Sequence, residues 1–274
     1  MQGTVCVTGC SSGIGRATAI RFAEEGWRVY ATARDETDLV ALSEAGCVID
    51  SLDVADDAAV ERVIDRIVEE EGSIDCLVNN AGYGQFGPLE DVPIEMLDRQ
   101  FDVNVYGPHR LIRAVLPHMR EAGQGRIVNV SSVAGRLSFP GGGAYCGSKA
   151  ALEAMSDALR PEVEPFGIDV VVVEPDPVET GFVDRVRHEV ERLPKSGAYA
   201  GFYELLDDAA LLYGDGPGSS TPEDVAATIT EAASCLDPAP RYQVGTVSST
   251  LVFARHLPDA WRDAAYRLLG KVMP

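Results

Sequence analysis

The chain has 274 residues, 46% of them hydrophobic and 24% charged, which suits one large α/β domain with a substantial core. Its net charge is −20, from 43 acidic and 23 basic residues, a balance that repels nucleic acid phosphates and anionic lipid. No apolar run reaches the roughly 18 residues of a membrane span, and no basic segment precedes the first strand, so a cytoplasmic protein without a membrane span is expected.

Only three of the basic residues are lysines: Lys149, Lys195 and Lys271. So acidic a surface self-repels in dilute salt and is screened in strong salt. We read it as adaptation to a salty cytoplasm. The six cysteines form no C-x-x-C pair and read as buried thiols. The four histidines have no metal-ligand spacing, so no metal is expected.

In chain order, strands are predicted at Thr4–Thr8, Arg28–Thr32, Cys47–Leu52, Asp75–Asn79, Gly125–Ser131 and Ile168–Glu174. Several are nearly continuous apolar runs, as in a parallel sheet covered on both faces. Helical patterns lie between them: Ile14–Glu25, Asp57–Glu71, Glu95–Arg120 and Ala144–Glu164. This alternation predicts one doubly wound α/β domain, a Rossmann fold with a parallel sheet. Pro175-Asp176-Pro177 stops the sixth strand. Residues 178–222 are mixed helix and loop and are expected to form a small helical substrate lid. Phe182, Phe202, Tyr203, Leu205, Leu206, Leu211 and Leu212 give that segment an apolar face suited to a lid, an interface or ordinary core. Thr221, with Pro222 after it, starts another helix. Arg241–Val244 is a candidate last strand. A helical tail over 246–274 is expected to pack on the core or a partner subunit.

The first chemical signal is Thr8-Gly9-Cys10-Ser11-Ser12-Gly13-Ile14-Gly15, between the first strand and the first helix. Glycines let backbone approach a pyrophosphate, and the helix N-terminus offers free N–H groups and partial positive charge. The second is Tyr145 with Lys149, four positions apart and so on one helix face. A nearby ammonium stabilises a phenolate and makes tyrosine usable as an acid and base. The third is Ser132, 13 positions before Tyr145, at a strand end that faces the ligand crevice. Ser131 points to the opposite side and is the weaker candidate.

The T-G-x-x-x-G-x-G turn, Asn79-Asn80-Ala81-Gly82, Ser132 and Y-x-x-x-K together resemble the short-chain dehydrogenase/reductase family, over roughly residues 3–245. The turn and Val29-Tyr30-Ala31-Thr32-Ala33-Arg34-Asp35 look like the branch containing 17β-hydroxysteroid and retinol dehydrogenases. The resemblance implies a nicotinamide-dependent oxidoreductase acting on an alcohol or ketone, a hydrophobic one by branch. It implies a catalytic set of Tyr145, Lys149, Ser132 and Asn104, with Asn104 anchoring a water-mediated relay to the lysine. It implies cofactor contacts from Gly9, Ser11, Ser12, Gly13, Ile14, Gly15, Arg34, Asp53, Val54, Asn80, Ala81, Gly82, Tyr145, Lys149, Pro175, Val178 and Thr180. NAD-preferring members usually carry an acid where this chain has Ala33, and Arg34 follows, so NADP is expected, with NAD the alternative. Asp35 is placed to compete for Arg34. The family's usual Pro-Gly is Pro175-Asp176 here, which puts a side chain where backbone passes the nicotinamide. A homodimer or homotetramer is expected, since Ala151, Met155 and Leu159 share another face of the Tyr145 helix. Two further readings stand beside this one: a nucleotide-binding regulator without catalysis, and an epimerase or dehydratase.

Overall fold

The computed structural model describes residues 3–178, 181–208, 220–245 and 257–272. Seven strands form one parallel sheet: β1 (Thr4–Thr8), β2 (Arg28–Ala33), β3 (Val48–Ser51), β4 (Cys76–Asn79), β5 (Gly125–Val130), β6 (Ile168–Pro175) and β7 (Arg241–Val244), in spatial order β3-β2-β1-β4-β5-β6-β7. The order reverses at β1, where β1 pairs with both β2 and β4. In doubly wound sheets the ligand crevice opens at that reversal, beyond the strand C-termini.

The period-two alternation of the strands divides the core. Val5 and Val7 of β1 pack on one face with Phe22 of α1 (Gly13–Glu24), while Cys6 packs on the other with Ile64 and Ile67 of α3 (Asp57–Glu71). Between β2 and β3 lies the short α2 (Val40–Glu44). α3 starts where Asp56 accepts from the Ala58 and Ala59 N–H groups, and ends at Gly72, whose φ of 81° suits only glycine. Five of the six cysteines are buried and all are free; Cys235 is exposed, against expectation. Burial pushes the Cys6 and Cys76 thiols up to about 12.

The predicted helix Glu95–Arg120 is broken in three. α4 (Ile94–Phe101) passes into a π-helical turn, Asp102–Tyr106, and then into α5 (Gly107–Ala122). α6 (Gly143–Val163) carries Tyr145 and Lys149. β6 runs one residue past its predicted end, through Pro175. Beyond it come α7 (Phe182–Glu191), α8 (Ala200–Asp208) and α9 (Pro222–Ser234). α9 opens as expected, on a reciprocal cap between Thr221 and Asp224 with Pro222 in the first turn. The tail forms α10 (Asp259–Val272), on which Trp261 is 67% and Leu268 64% exposed in the single chain. Its Tyr266 hydroxyl donates to the Ser138 carbonyl at 2.7 Å. Among the described residues, no helix is long and apolar enough to cross a membrane.

Candidate active site

A cleft of about 720 Å³ opens at the C-terminal ends of β1, β2, β4 and β5. One end is floored by the turn Gly9–Gly15 and the other by Tyr145 and Lys149. The turn is set by packing as well as by glycine freedom. Gly9 has φ 72°, and a Cβ on Gly15 would collide with the Gly9 carbonyl. Asn80 and Thr8 hold it from behind. Asn80 Nδ2 donates to the Thr8 carbonyl at 2.8 Å, and Thr8 Oγ1 accepts from the Asn80 and Ala81 N–H groups at 3.0 Å each. The Asn80 side chain is therefore engaged with the turn itself. Ser12 precedes α1 and makes no side-chain cap, so the first N–H groups of that helix keep their capacity for an anion.

Ala33, Arg34, Asp53 and Val54 line the cleft at the end of β2 and beyond β3, and Ala81 and Gly82 line it beyond β4. Asp35 does not compete for Arg34. Its carboxylate accepts from the Thr37 N–H at 2.9 Å and the Thr37 hydroxyl at 2.6 Å. Those bonds hold the Asp35 carboxyl below its ordinary range. Pro175 and Val178 do not line the cleft among the described residues: Pro175 is the paired end of β6, and Val178 bridges to Ser220. Thr180, Leu211 and Leu212 lie outside the described residues, as do the side chains of Leu205 and Leu206. Asp176 turns away from the cleft. Its carboxylate lies where a Cβ of Gly245 would be, and its N–H donates to the Val244 carbonyl at 2.8 Å. The departure from Pro-Gly is thus absorbed beside β7.

Tyr145 and Lys149 lie a turn apart on α6, both buried, with Lys149 Nζ 5.9 Å from the Tyr145 ring centre. Lys149 Nζ donates to the Val130 carbonyl at 2.8 Å. Ser132 stands close enough to the Tyr145 phenol to act on it, while Ser131 lies beside the Glu153 carboxylate. The two neighbouring serines therefore part as strand geometry requires. Burial pushes the Tyr145 phenol up to about 12, against a lowering contribution from Ser132. It pushes the Lys149 ammonium down to about 8, opposed by the charge of Glu153.

Asn104 sits in the π-helical turn and is buried. Its Nδ2 donates to the Tyr83 carbonyl at 2.9 Å and to Ser148 Oγ at 3.1 Å, and its Oδ1 accepts from the Tyr83 N–H at 3.1 Å. Its side chain thus ties the segment after Gly82 to the residue before Lys149.

Three aromatic walls surround Tyr145. Phe86 and Phe182 place their ring centres 5.5 Å and 5.6 Å from it, and Phe139 packs in the same cluster. Only Phe182 was singled out from the sequence. Phe86 and Phe139 carry no periodic signal, because each sits in an irregular segment and meets Tyr145 only in three dimensions. Phe202 and Tyr203 pack instead with Val186, Val190 and Leu193, and the Tyr203 hydroxyl donates to Asp91 Oδ2 at 2.7 Å. Behind the site, Arg241 of β7 bonds Glu153 Oε2 at 3.1 Å and Glu174 Oε1 at 3.1 Å. Arg136, just beyond Ser132, bonds Glu174 as well, at 3.0 Å. This buried pairing fastens α6, β6, β7 and the serine turn to one another.

A family model described as short chain dehydrogenase matches residues 3–191. The chain belongs to the short-chain dehydrogenase family. It is 36% identical to a probable short-chain type dehydrogenase/reductase, VdlC, of Helicobacter pylori strain J99, over 96% of each chain. It is 34% identical to the 3-ketodihydrosphingosine reductase of Bacteroides thetaiotaomicron, again over 96% of each. With human 17-beta-hydroxysteroid dehydrogenase type 1 it shares 34% identity, over 87% of this chain and 76% of the human protein. Among solved structures, a serine dehydrogenase complexed with NADP+ superposes with a TM-score of 0.78 at 29% identity, covering 89% of this chain and 95% of that one. A short-chain dehydrogenase/reductase from Burkholderia phymatum in complex with NAD superposes with a TM-score of 0.80 at 29% identity, covering 93% and 92%. The doubly wound fold and the hydroxysteroid and retinol branch expected from the sequence are both borne out.

Proposed function

We propose that this short-chain dehydrogenase interconverts a hydrophobic alcohol and its ketone with NADP(H), using Tyr145 as general acid and base. The observation that carries the reading is the buried Tyr145 phenol, beside Ser132, one helical turn from Lys149 and walled by three phenylalanine rings. The cleft suits a dinucleotide. An uncapped helix N-terminus serves a pyrophosphate at the glycine turn, and Arg34, with no carboxylate partner among the described residues, lines the cleft at the end of β2. Related structures hold NADP or NAD, which agrees with a nicotinamide cofactor.

When bound, the nicotinamide supplies or accepts the hydride and, oxidised, brings a positive charge beside the phenol. In reduction, Tyr145 gives its phenolic proton to the carbonyl oxygen as that oxygen gains charge. Ser132 holds the same oxygen by its hydroxyl. In oxidation Tyr145 takes the proton back, which requires a phenolate. Lys149, as ammonium, lowers the cost of that phenolate and would bond the ribose of a bound cofactor. Asn104 serves the proton path indirectly, by holding the Tyr83 backbone and Ser148 around Lys149.

The segment 178–222 acts as the lid, with Phe182 its contact to the reacting end. An apolar substrate follows from Phe86, Phe139 and Phe182. Two relatives named for a 3-ketodihydrosphingosine and a 17-beta-hydroxysteroid agree with it. A panel of apolar ketones with NADPH, followed at the reduced-nicotinamide absorbance band, tests the reading. Steady loss of absorbance with at least one ketone is expected. Tight NADPH binding with no turnover of any panel member favours a silent regulator instead.

The net charge of −20 is read as adaptation to a salty cytoplasm. Molar KCl is expected to raise both the melting temperature and the activity, by screening self-repulsion. Highest stability in dilute buffer, falling as KCl is added, contradicts that. The partner surface expected on α6 includes Met155, which is 37% exposed. Light scattering in the same KCl series is expected to give a dimer or tetramer, and a monomer throughout contradicts it.

A further inference from the structure

Four arginines line the cleft: Arg34, Arg99, Arg185 and Arg192. Arg99 and Arg192 both pair with Glu189, at 3.8 Å and 3.3 Å. Arg34 and Arg185 have no carboxylate partner among the described residues, in a chain with 43 acidic side chains. Arg185 of α7 reaches across the cleft mouth, and its Nη2 donates to Ser12 Oγ at 3.4 Å. Ser12 immediately precedes α1, whose N-terminus carries partial positive charge and has no side-chain cap. A guanidinium and a helix N-terminus repel one another unless an anion lies between them. The cleft therefore brings together two positive groups, from two elements, where one anion between them satisfies both.

The same helix reaches the reacting end. Phe182 opens α7, three positions before Arg185, and its ring centre lies 5.6 Å from that of Tyr145. Residues three apart lie on neighbouring parts of one helix face, so fixing one fixes the other. We propose that Arg185 is a positioning residue that clamps the cofactor pyrophosphate against the start of α1 and thereby seats Phe182 over Tyr145. The proposal rests on the nicotinamide reading above.

Arg185 is exposed, so Arg185→Ala leaves the core intact. The test is calorimetric titration of wild type, Arg185→Ala and Arg185→Lys with NADP+ and with 2′-AMP, which keeps the adenosine and its 2′-phosphate but has no pyrophosphate. Arg185→Ala is expected to bind NADP+ about tenfold more weakly and 2′-AMP equally well, with partial recovery in Arg185→Lys. The KM for ketone at saturating NADPH is expected to rise in Arg185→Ala. Equal NADP+ affinity in wild type and Arg185→Ala overturns the clamp, as does equal weakening of 2′-AMP. An unchanged ketone KM overturns the coupling to Phe182. A wild type that binds neither NADP+ nor NAD+ removes the nicotinamide reading and the clamp with it.

Discussion

Tyr145→Phe is expected to lower turnover by at least ~10²-fold, the lower range for a general acid–base group. The substitution removes one oxygen and keeps the ring. The packing against Phe86 and Phe182 survives, and so does the fold. What disappears is the hydroxyl beside Ser132, the group proposed to carry the proton. Ser132 cannot replace it, because a serine hydroxyl does not ionise in the accessible range. The loss should fall on kcat more than on cofactor affinity. Near-wild-type turnover in the variant, measured on any ketone that the parent reduces, removes Tyr145 from the chemistry.

Cofactor choice is the second large effect. The 2′-phosphate of NADP carries close to two negative charges, and on a protein of net charge −20 it needs a local cation. Arg34 lines the cleft at the end of β2, and Asp35 is engaged with Thr37 and leaves it available. Ala33 presents no carboxylate to hold the ribose hydroxyls or to repel the phosphate. A charge-assisted contact contributes about 1.5–3 kcal/mol, or about 10- to 150-fold in preference for NADP. Arg34 is exposed, so the lower half of that range is expected. Ala33→Asp with Arg34→Ala should move the preference toward NAD by a similar factor. A wild-type kcat/KM that is already higher with NAD leaves Arg34 a solvated surface residue.

Legibility in the sequence followed locality. The glycine turn and the Tyr145–Lys149 pair are written within one or two helical turns, and the structure brings both to one cleft. The strand runs were legible because a sheet covered on both faces demands unbroken apolar residues. The break in the helix over 95–120 was not. Its π-helical turn accompanies the bonds of Asn104 to Tyr83 and Ser148, which are 21 and 44 residues away along the chain. The Arg241–Glu153 contact spans 88 residues and left no pattern either. Asp176 was legible as a departure, but its direction depended on Gly245, a glycine with no periodic signature. For the tail the sequence left core and partner subunit as alternatives. Trp261 and Leu268 share a helical face in the sequence, and periodicity alone does not say whether anything covers it.

Binding of the oxidised cofactor is expected to bring the Tyr145 phenol, pushed up to about 12 by burial even with Lys149 a turn away, down into a working range. The pH dependence of kcat for alcohol oxidation measures this, because it reports groups titrating in the loaded enzyme. The account predicts that kcat rises with pH and levels off well below pH 12, and that Tyr145→Phe loses this rise together with its turnover. A kcat independent of pH, or the same rising profile in Tyr145→Phe, would contradict it.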